Sequence, residues 1–213
     1  MTELAAFASQ VAQCTKCRLA ETRTQVVFGV GDPNADLMFV GEAPGFHEDK
    51  QGEPFVGQAG KLLDRLLGGI GFERSQVFIA NVLMCRPPGN RDPMPDEIEA
   101  CEGFLFRKIS LIQPRVIATL GNFATKLLSG KQLGITRVHG KEQEATIGGM
   151  RLLLFPIYHP AAALYTPRML QVLEEDFRRI PELLGREVAP APPAWEPLAV
   201  LAEPEPTVQL GLF

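Results

Sequence analysis

Four short, uninterrupted apolar runs constrain the fold of this chain more than any other feature of its sequence. Each run is followed within a few residues by glycine or by a polar residue, and none alternates between apolar and polar side chains. Runs of this kind are typical of strands that are buried on both faces of a sheet. The runs are Asp36–Val40, Val77–Leu83, Val116–Leu120 and Leu152–Tyr158.

The segments between these runs have the periodicity of amphipathic helices, with apolar residues three or four positions apart. Two such faces are Leu62, Leu63, Leu66, Leu67 and Ile70, and Ile98, Cys101, Leu105 and Ile109. Strands that alternate with helices predict an α/β fold of three α/β/α layers, with a central, mostly parallel four-stranded sheet. Ligands of such sheets bind beyond the carboxyl ends of the strands.

The composition divides the chain into three parts. With 213 residues, 46% of them hydrophobic, it can form one substantial domain, which we assign to residues 1–185. Residues 186–208 are rich in Pro, Ala and Glu and predict a flexible tail. Residues 209–213 form a separate apolar peptide.

The chain shows no sign of export or membrane insertion. Its first residues, MTELAAFASQ, lack a basic and an apolar segment, and no apolar run approaches the roughly 20 residues that span a bilayer. We therefore expect a cytoplasmic protein whose cysteines are not paired in disulfides. Nothing in the sequence demands an oligomer, so a monomer is expected.

The net charge of −4 is unusual for a protein that binds nucleic acid. The residues from Arg186 onward contain one Arg and four Glu and contribute −3, which leaves −1 for the rest. Affinity for DNA must then come from a local patch of positive charge.

The four cysteines are candidates for metal ligation. Cys14 and Cys17 form a C-x2-C pair, whereas Cys85 and Cys101 are sixteen residues apart, with Cys101 on a predicted helix. Structural zinc usually takes two tight pairs. Thiolates gathered from scattered segments fit a [4Fe–4S] cluster at least as well. Buried cysteines without a metal remain the alternative.

Three polar positions meet at one predicted edge of the sheet. Glu42 lies in GEAPG (Gly41–Gly45) directly after the first run, Asn81 lies near the end of the second, and His159 follows the last. The small residues of GEAPG allow backbone amides to approach a ligand, or serve only a tight turn. Phe55, in EPFVGQAG, has the pattern of a core residue.

Taken together, these motifs resemble those of the family 4 uracil-DNA glycosylases, in order and over roughly residues 4 to 184. The matching elements are Cys14 and Cys17, GEAPGFHED at Gly41–Asp49, EPFVGQAG at Glu53–Gly60, IANVLMCRPPGNRDP at Ile79–Pro93, Cys101, and HPAAAL at His159–Leu164. The resemblance implies an enzyme that flips uracil out of DNA and hydrolyses its N-glycosidic bond, which initiates base excision repair.

The resemblance also implies roles for individual residues. Phe55 stacks on the uracil, Asn81 pairs with its O4 and N3–H, and His159 donates to the oxyanion that develops at O2. Gly41, Glu42 and Ala43 line the same pocket.

One position departs from the better-known uracil glycosylases, which carry a water-activating aspartate where Ala43 stands. Glu42 is our candidate to position the water or to stabilise the oxocarbenium ion, and Glu48 is the reserve. Leu164 and Tyr165, near Arg168, are candidates to wedge open the DNA stack.

The resemblance further implies that Cys14, Cys17, Cys85 and Cys101 hold one [4Fe–4S] cluster with a structural role. An iron–sulfur electron-transfer protein would explain these cysteines but not Phe55, Asn81 and His159. A nucleotide-binding module would explain the sheet edge but not the cysteines. A related glycosylase with broader base choice is the third alternative.

The residues Gln209–Phe213, QLGLF, resemble the Q-L-x-L-F peptide with which bacterial repair proteins dock on the DNA polymerase sliding clamp. The alternative is that their apolar side chains fold back onto the enzyme.

Overall fold

A six-stranded sheet with helices on both faces forms the centre of the protein. The computed structural model describes residues 2–164 and 166–186. The strands lie in the order β1-β3-β2-β4-β6-β5. They are β1 Val30–Gly31, β2 Leu37–Gly41, β3 Phe78–Asn81, β4 Val116–Leu120, β5 Gln143–Ile147 and β6 Met150–Ile157.

The four central strands are those that the apolar runs predict, and they are parallel as expected. The predicted number of four strands is corrected to six, because one antiparallel strand flanks the parallel set at each edge. β1 has only two residues, too few for a recognisable pattern. β5 is polar and partly exposed, and it forms a hairpin with β6 through Gly148 and Gly149, whose φ angles are 59° and 82°. This Gly-Gly pair between two extended segments is a hairpin signal in the sequence.

The helices cover both faces of the sheet. The side chains of β2 show why, since Met38 and Val40 pack into one core and Leu37 and Phe39 into the other. The helices are α1 Glu3–Val11, α2 Phe46–Gln51, α3 Gln58–Gly69, α4 Pro95–Ile112, α5 Asn122–Ser129, α6 Ile135–Val138 and α7 Pro167–Gly185. The first core is covered by α1, α4 and α5, and the second by α3 and α7. The three-layer α/β/α prediction is therefore confirmed.

The two amphipathic faces expected from the sequence lie on α3 and α4. Leu62, Leu63, Leu66 and Leu67 are buried on α3, and Ile70 lies just beyond its end. Cys101, Leu105 and Ile109 are buried on α4, with Ile98 partly buried. Among the helices that the structure describes, none is long and apolar enough to cross a membrane.

The strand order brings the predicted polar positions to one edge. β2 and β3 are neighbours in register, so that Gly41 lies opposite Asn81. β6 lies two strands from β2, and His159 follows its end. The carboxyl ends of these parallel strands thus form one edge, at which ligands of such sheets bind.

Candidate active site

A cavity of about 650 Å³ opens at this edge, a size typical of small-ligand sites. Four predicted site residues line it directly: Glu42, Ala43, Phe55 and His159. Gly41 and Asn81 are not lining residues and lie next to the Phe55 ring. The remaining lining residues are Gly45, Phe46, His47, Glu48, Gly57, Gln58, Ala59, Asn90, Ala161 and Leu164.

Gly41 leaves the space in which Asn81 and Phe55 approach each other. A Cβ at position 41 would clash with Oδ1 of Asn81 and come within 2.7 Å of the Phe55 ring. Any larger residue would therefore push the amide and the ring apart. The absence of a side chain at Gly41 therefore lets Asn81 and the Phe55 ring lie close together.

Asn81 is only 3% exposed, and its Oδ1 has no hydrogen-bond partner among the described residues. A buried polar atom without a partner costs about 1–3 kcal/mol. Native proteins keep few such atoms, so each one needs an explanation. Oδ1 of Asn81 is thus a preformed acceptor for a ligand that carries an N–H group.

Phe55 has a left-handed backbone conformation, with φ of 55°, which is rare for an aromatic residue. Its ring is nearly parallel to the imidazole of His159, with 5.5 Å between the ring centroids. Phe55 is buried, as its sequence pattern indicates, but it lies in the wall of the cavity as well as in the core.

Glu48 fixes the segment that carries Phe55. Its Oε1 accepts hydrogen bonds from the backbone N–H groups of Val56, at 3.0 Å, and Gly57, at 2.9 Å. These bonds stabilise the strained backbone at Phe55. Glu48 lines the cavity, but one of its oxygens is already engaged.

His159 is held as a neutral imidazole. The backbone N–H of Ala161 donates to Nδ1 at 3.2 Å, and burial lowers the pKa of the ring to about 4 against the opposing charge of Glu48. Because Nδ1 accepts a hydrogen bond, the single proton of the neutral ring resides on Nε2. His159 therefore offers one N–H donor without a positive charge.

Glu42 lies on the same cavity and is partly buried. Burial raises the pKa of its carboxyl group, and the negative charge of Asp92 raises it further. A carboxylate with a raised pKa at a cavity wall is a stronger base than an exposed one.

The rim of the cavity contains residues that the sequence patterns did not single out. Phe46 and Asn90 both line it, and Asn90 belongs to the loop that follows β3 on the same sheet edge. Leu164 also lines the rim and is 36% exposed, whereas Tyr165, its predicted neighbour in the wedge, lies outside the described residues.

The family model described as "Uracil DNA glycosylase superfamily" matches residues 28–181, which contain this entire cavity. The chain belongs to the uracil DNA glycosylase superfamily. It is 50% identical over 188 residues to a type-4 uracil-DNA glycosylase of Sulfurisphaera tokodaii, covering 86% of each chain. It is 46% identical over 191 residues to that of Archaeoglobus fulgidus, covering 88% of this chain and 96% of the relative. Its similarity to a type-5 uracil-DNA glycosylase of Thermus thermophilus is 32% identity over 115 residues, which cover 47% of this chain and 52% of that protein.

In this superfamily member the four cysteines line a second, smaller cavity. None of the four forms a disulfide. Burial, with smaller contributions from the nearby Cys101 and Cys17, raises the pKa of the Cys85 thiol to about 11. Burial likewise raises the pKa of Cys101, with Cys17 and Cys14 adding to the effect. The fold thus collects four thiols from segments that are far apart in sequence.

The four cysteine side chains form a donor set that suits zinc or an iron–sulfur cluster, since both can be bound by four thiolates. Among the residues that the structure describes, no three His, Cys, Asp or Glu side chains are placed to hold one metal ion.

Two cations accompany the four thiols. Nη1 of Arg23 donates to Sγ of Cys85 at 3.5 Å, which opposes the rise in the pKa of that thiol. Lys108 is fully buried and donates to the carbonyl of Phe28 at 2.8 Å. Burial lowers the pKa of Lys108 to about 8, and Cys101 is close enough to oppose this shift. Neighbouring cations favour the thiolate form that metals bind.

Proposed function

We propose that this chain is a type-4 uracil-DNA glycosylase that binds uracil flipped out of DNA and hydrolyses its N-glycosidic bond. The observation that carries this proposal is the buried, unpaired Oδ1 of Asn81 beside the ring of Phe55, which lines a cavity of the matched family segment. Uracil supplies the N3–H that this oxygen lacks, and its flat ring fits against an aromatic wall. Cytosine presents an acceptor at N3 and leaves Oδ1 unpaired.

His159 is proposed to stabilise the leaving uracil. Cleavage of the glycosidic bond places negative charge on the base, and a preorganised donor at the oxyanion is worth about 2.7–4 kcal/mol. The neutral ring with its proton on Nε2 supplies such a donor, and the hydrogen bond from Ala161 together with the Phe55 ring fixes its position.

Glu42 is the proposed carboxylate for positioning the water or stabilising the oxocarbenium ion. One observation favours it over Glu48, which already accepts two backbone hydrogen bonds. Burial also raises the pKa of the Glu42 carboxyl group, as suits a base. Ala43 lines the pocket wall with a small side chain.

An assay with single uracil-containing oligonucleotides tests this function. Uracil release and alkali-sensitive abasic sites are expected, on single- or double-stranded DNA. Matched oligonucleotides with hypoxanthine or xanthine in place of uracil separate this proposal from a glycosylase with broader base choice. An electron-transfer protein or a nucleotide-binding module would give no product on any of them.

We further propose that Cys14, Cys17, Cys85 and Cys101 hold one [4Fe–4S] cluster with a structural role. Support comes from the shared cavity and from the cations Arg23 and Lys108, which offset the negative charge of four thiolates. When bound, the cluster supplies a cross-link between α4, the loop after β3 and the N-terminal segment. Such a cross-link stabilises the fold in the way that structural metals do.

Anaerobically purified protein is expected to be brown, with iron and acid-labile sulfide in equal amounts. Cys101→Ser should abolish both signals and lower the thermal midpoint, because one of the four ligands is lost. The variant His159→Ala, altered in the other cavity, is the control and should retain the cluster. One zinc per chain without sulfide would contradict this prediction.

We also propose that Gln209–Phe213 bind the sliding clamp of the replicative polymerase. These residues lie outside the described part of the chain, so the proposal depends on the QLGLF sequence alone. Three apolar side chains on a short peptide match the mode in which such segments insert into a partner's groove. Tethering to the clamp would raise the local concentration of enzyme at DNA despite the net charge of −4.

A truncation after Val208 tests this docking. Full-length protein should be retained by immobilised clamp, and the truncated protein should not. Cleavage of short oligonucleotides should be unchanged by the truncation, because the clamp is absent from that assay. Equal retention of both forms, or of neither, would refute clamp binding through this peptide.

A further inference from the structure

The mouth of the active-site cavity carries an exposed aromatic side chain that the proposed chemistry does not use. Among the described residues, the large hydrophobic side chains that remain exposed are Phe46, Met94, Leu133 and Leu164. Two of these, Phe46 at 44% and Leu164 at 36%, line the candidate active site. Apolar groups that remain exposed beside a functional cavity commonly mark a binding surface.

Two cations flank Phe46. Nζ of Lys50, one helical turn further along α2, is 4.5 Å from the centroid of the Phe46 ring. The guanidinium carbon of Arg86, on the loop after β3, is 5.1 Å from the same centroid. Nε of Arg86 donates to Oδ1 of Asn90 at 2.6 Å, which holds this guanidinium at the rim.

Neither cation of this cluster has a carboxylate partner among the described residues. Within residues 2–164 and 166–186, neither Lys50 nor Arg86 forms an ion pair with a carboxylate. The nearby Asp49 is buried and accepts hydrogen bonds from the backbone and the hydroxyl of Thr24, at 2.9 and 2.6 Å. The cluster therefore presents a local positive patch on a chain whose net charge is −4.

We infer that Phe46, Lys50 and Arg86 form a subsite, the Phe46 platform, for the nucleotide next to the flipped uracil. This inference rests on the proposed function. The ring packs against the neighbouring base, and the two cations bind the adjoining phosphates. Grooves that bind single-stranded DNA combine these same elements, an aromatic surface for bases and positive charge along the backbone.

The geometry assigns the platform to a neighbouring nucleotide rather than to the uracil. Phe55, next to Asn81, is a buried part of the cavity wall, whereas Phe46 is exposed at the mouth. The nucleotides that are joined to the flipped uracil nucleotide must lie at this mouth, because the DNA backbone connects them. The platform also supplies the local patch that DNA binding requires on an acidic chain.

The variant Phe46→Ala tests the platform, with single-stranded oligonucleotides that contain one uracil. We expect KM to rise about tenfold, the usual scale for one base–aromatic contact, with the single-turnover rate at saturation changed less than threefold. Phe46→Trp should restore KM. Leu133→Ala, which removes an equally exposed side chain outside this cavity, is the matched control.

Two further measurements identify the ligand. In two further oligonucleotides, an abasic spacer replaces the base on the 5′ side or on the 3′ side of the uracil. On one of them, the increase in KM caused by Phe46→Ala should disappear. Lys50→Gln and Arg86→Gln should each reduce the slope of log KM against log salt concentration by the amount expected for the loss of about one phosphate contact. Phe46→Ala should leave that slope unchanged.

A KM of Phe46→Ala equal to that of the parental protein, or a penalty that is the same with and without each neighbouring base, would overturn the platform. If the proposed function is wrong, the parental protein releases no uracil. The effect of Phe46→Ala on the binding of labelled single-stranded DNA can then still be measured, which tests the platform separately.

Discussion

Replacing His159 by alanine is expected to lower the single-turnover rate of uracil release by about two to three orders of magnitude. The structure gives the reason, since the neutral ring offers one N–H at the cavity and is held in place from two sides. The backbone N–H of Ala161 fixes Nδ1, and the Phe55 ring lies against the imidazole face. The alanine variant loses this N–H donor.

The measurement is a rapid-quench time course with enzyme in excess over a uracil-containing oligonucleotide. His139→Ala is the matched control, because His139 packs against Tyr158 and Asp176, outside the cavity lining. The control should keep the parental rate if it folds, which circular dichroism verifies. If His159→Ala releases uracil at the rate of the parental protein, His159 does not stabilise the oxyanion.

The pH profile checks the protonation state of His159. Its folded pKa of about 4 lies below the ordinary 6.5, so the ring stays neutral down to about pH 4 and no acid limb is expected near pH 6.5. The pKa of Glu42 is raised above the usual 4.5, so loss of its carboxylate should set the acid limb above that value. Glu42→Gln should lower the rate and remove this limb. An acid limb near pH 6.5 that disappears in His159→Ala would contradict a neutral imidazole.

The second large effect is expected on base choice. Asn81→Asp should reduce discrimination between uracil and cytosine by at least about tenfold, from a ratio on the order of 10⁴. Oδ1 of Asn81 is buried and unpaired, so its partner must bring an N–H at the matching position. An aspartate can take up a proton or accept from the cytosine amino group, which removes the penalty against the wrong base.

Parallel single-turnover assays on oligonucleotides with uracil or cytosine at the same position measure this ratio. Asn90→Asp is the matched control: it makes the same chemical change in a residue that is exposed at the rim. The control should lower the affinity for DNA modestly and leave the ratio unchanged. An unaltered ratio in Asn81→Asp would show that Asn81 does not read the base.

The central strands and their helices could be predicted from the sequence because their signals are local. A continuous apolar run indicates a strand that is buried on both faces, and a helical period of apolar residues indicates a helix that is buried on one face. Both patterns are present whichever segments pack against them. The parallel arrangement then places Glu42, Asn81 and His159 at one edge. The motifs at that edge carried the resemblance that identifies the family.

The tertiary structure decided the features that depend on contacts between distant segments. β1 exists through its pairing with β3, and the four thiols share a cavity only after the fold is complete. The pattern around Phe55 records burial but not the left-handed backbone that places its ring against His159. The sequence likewise does not predict that the Asn81 oxygen lacks a partner or that Phe46 is exposed beside two cations. Hydrogen-bond satisfaction and exposure are set by neighbours that the chain brings together from elsewhere.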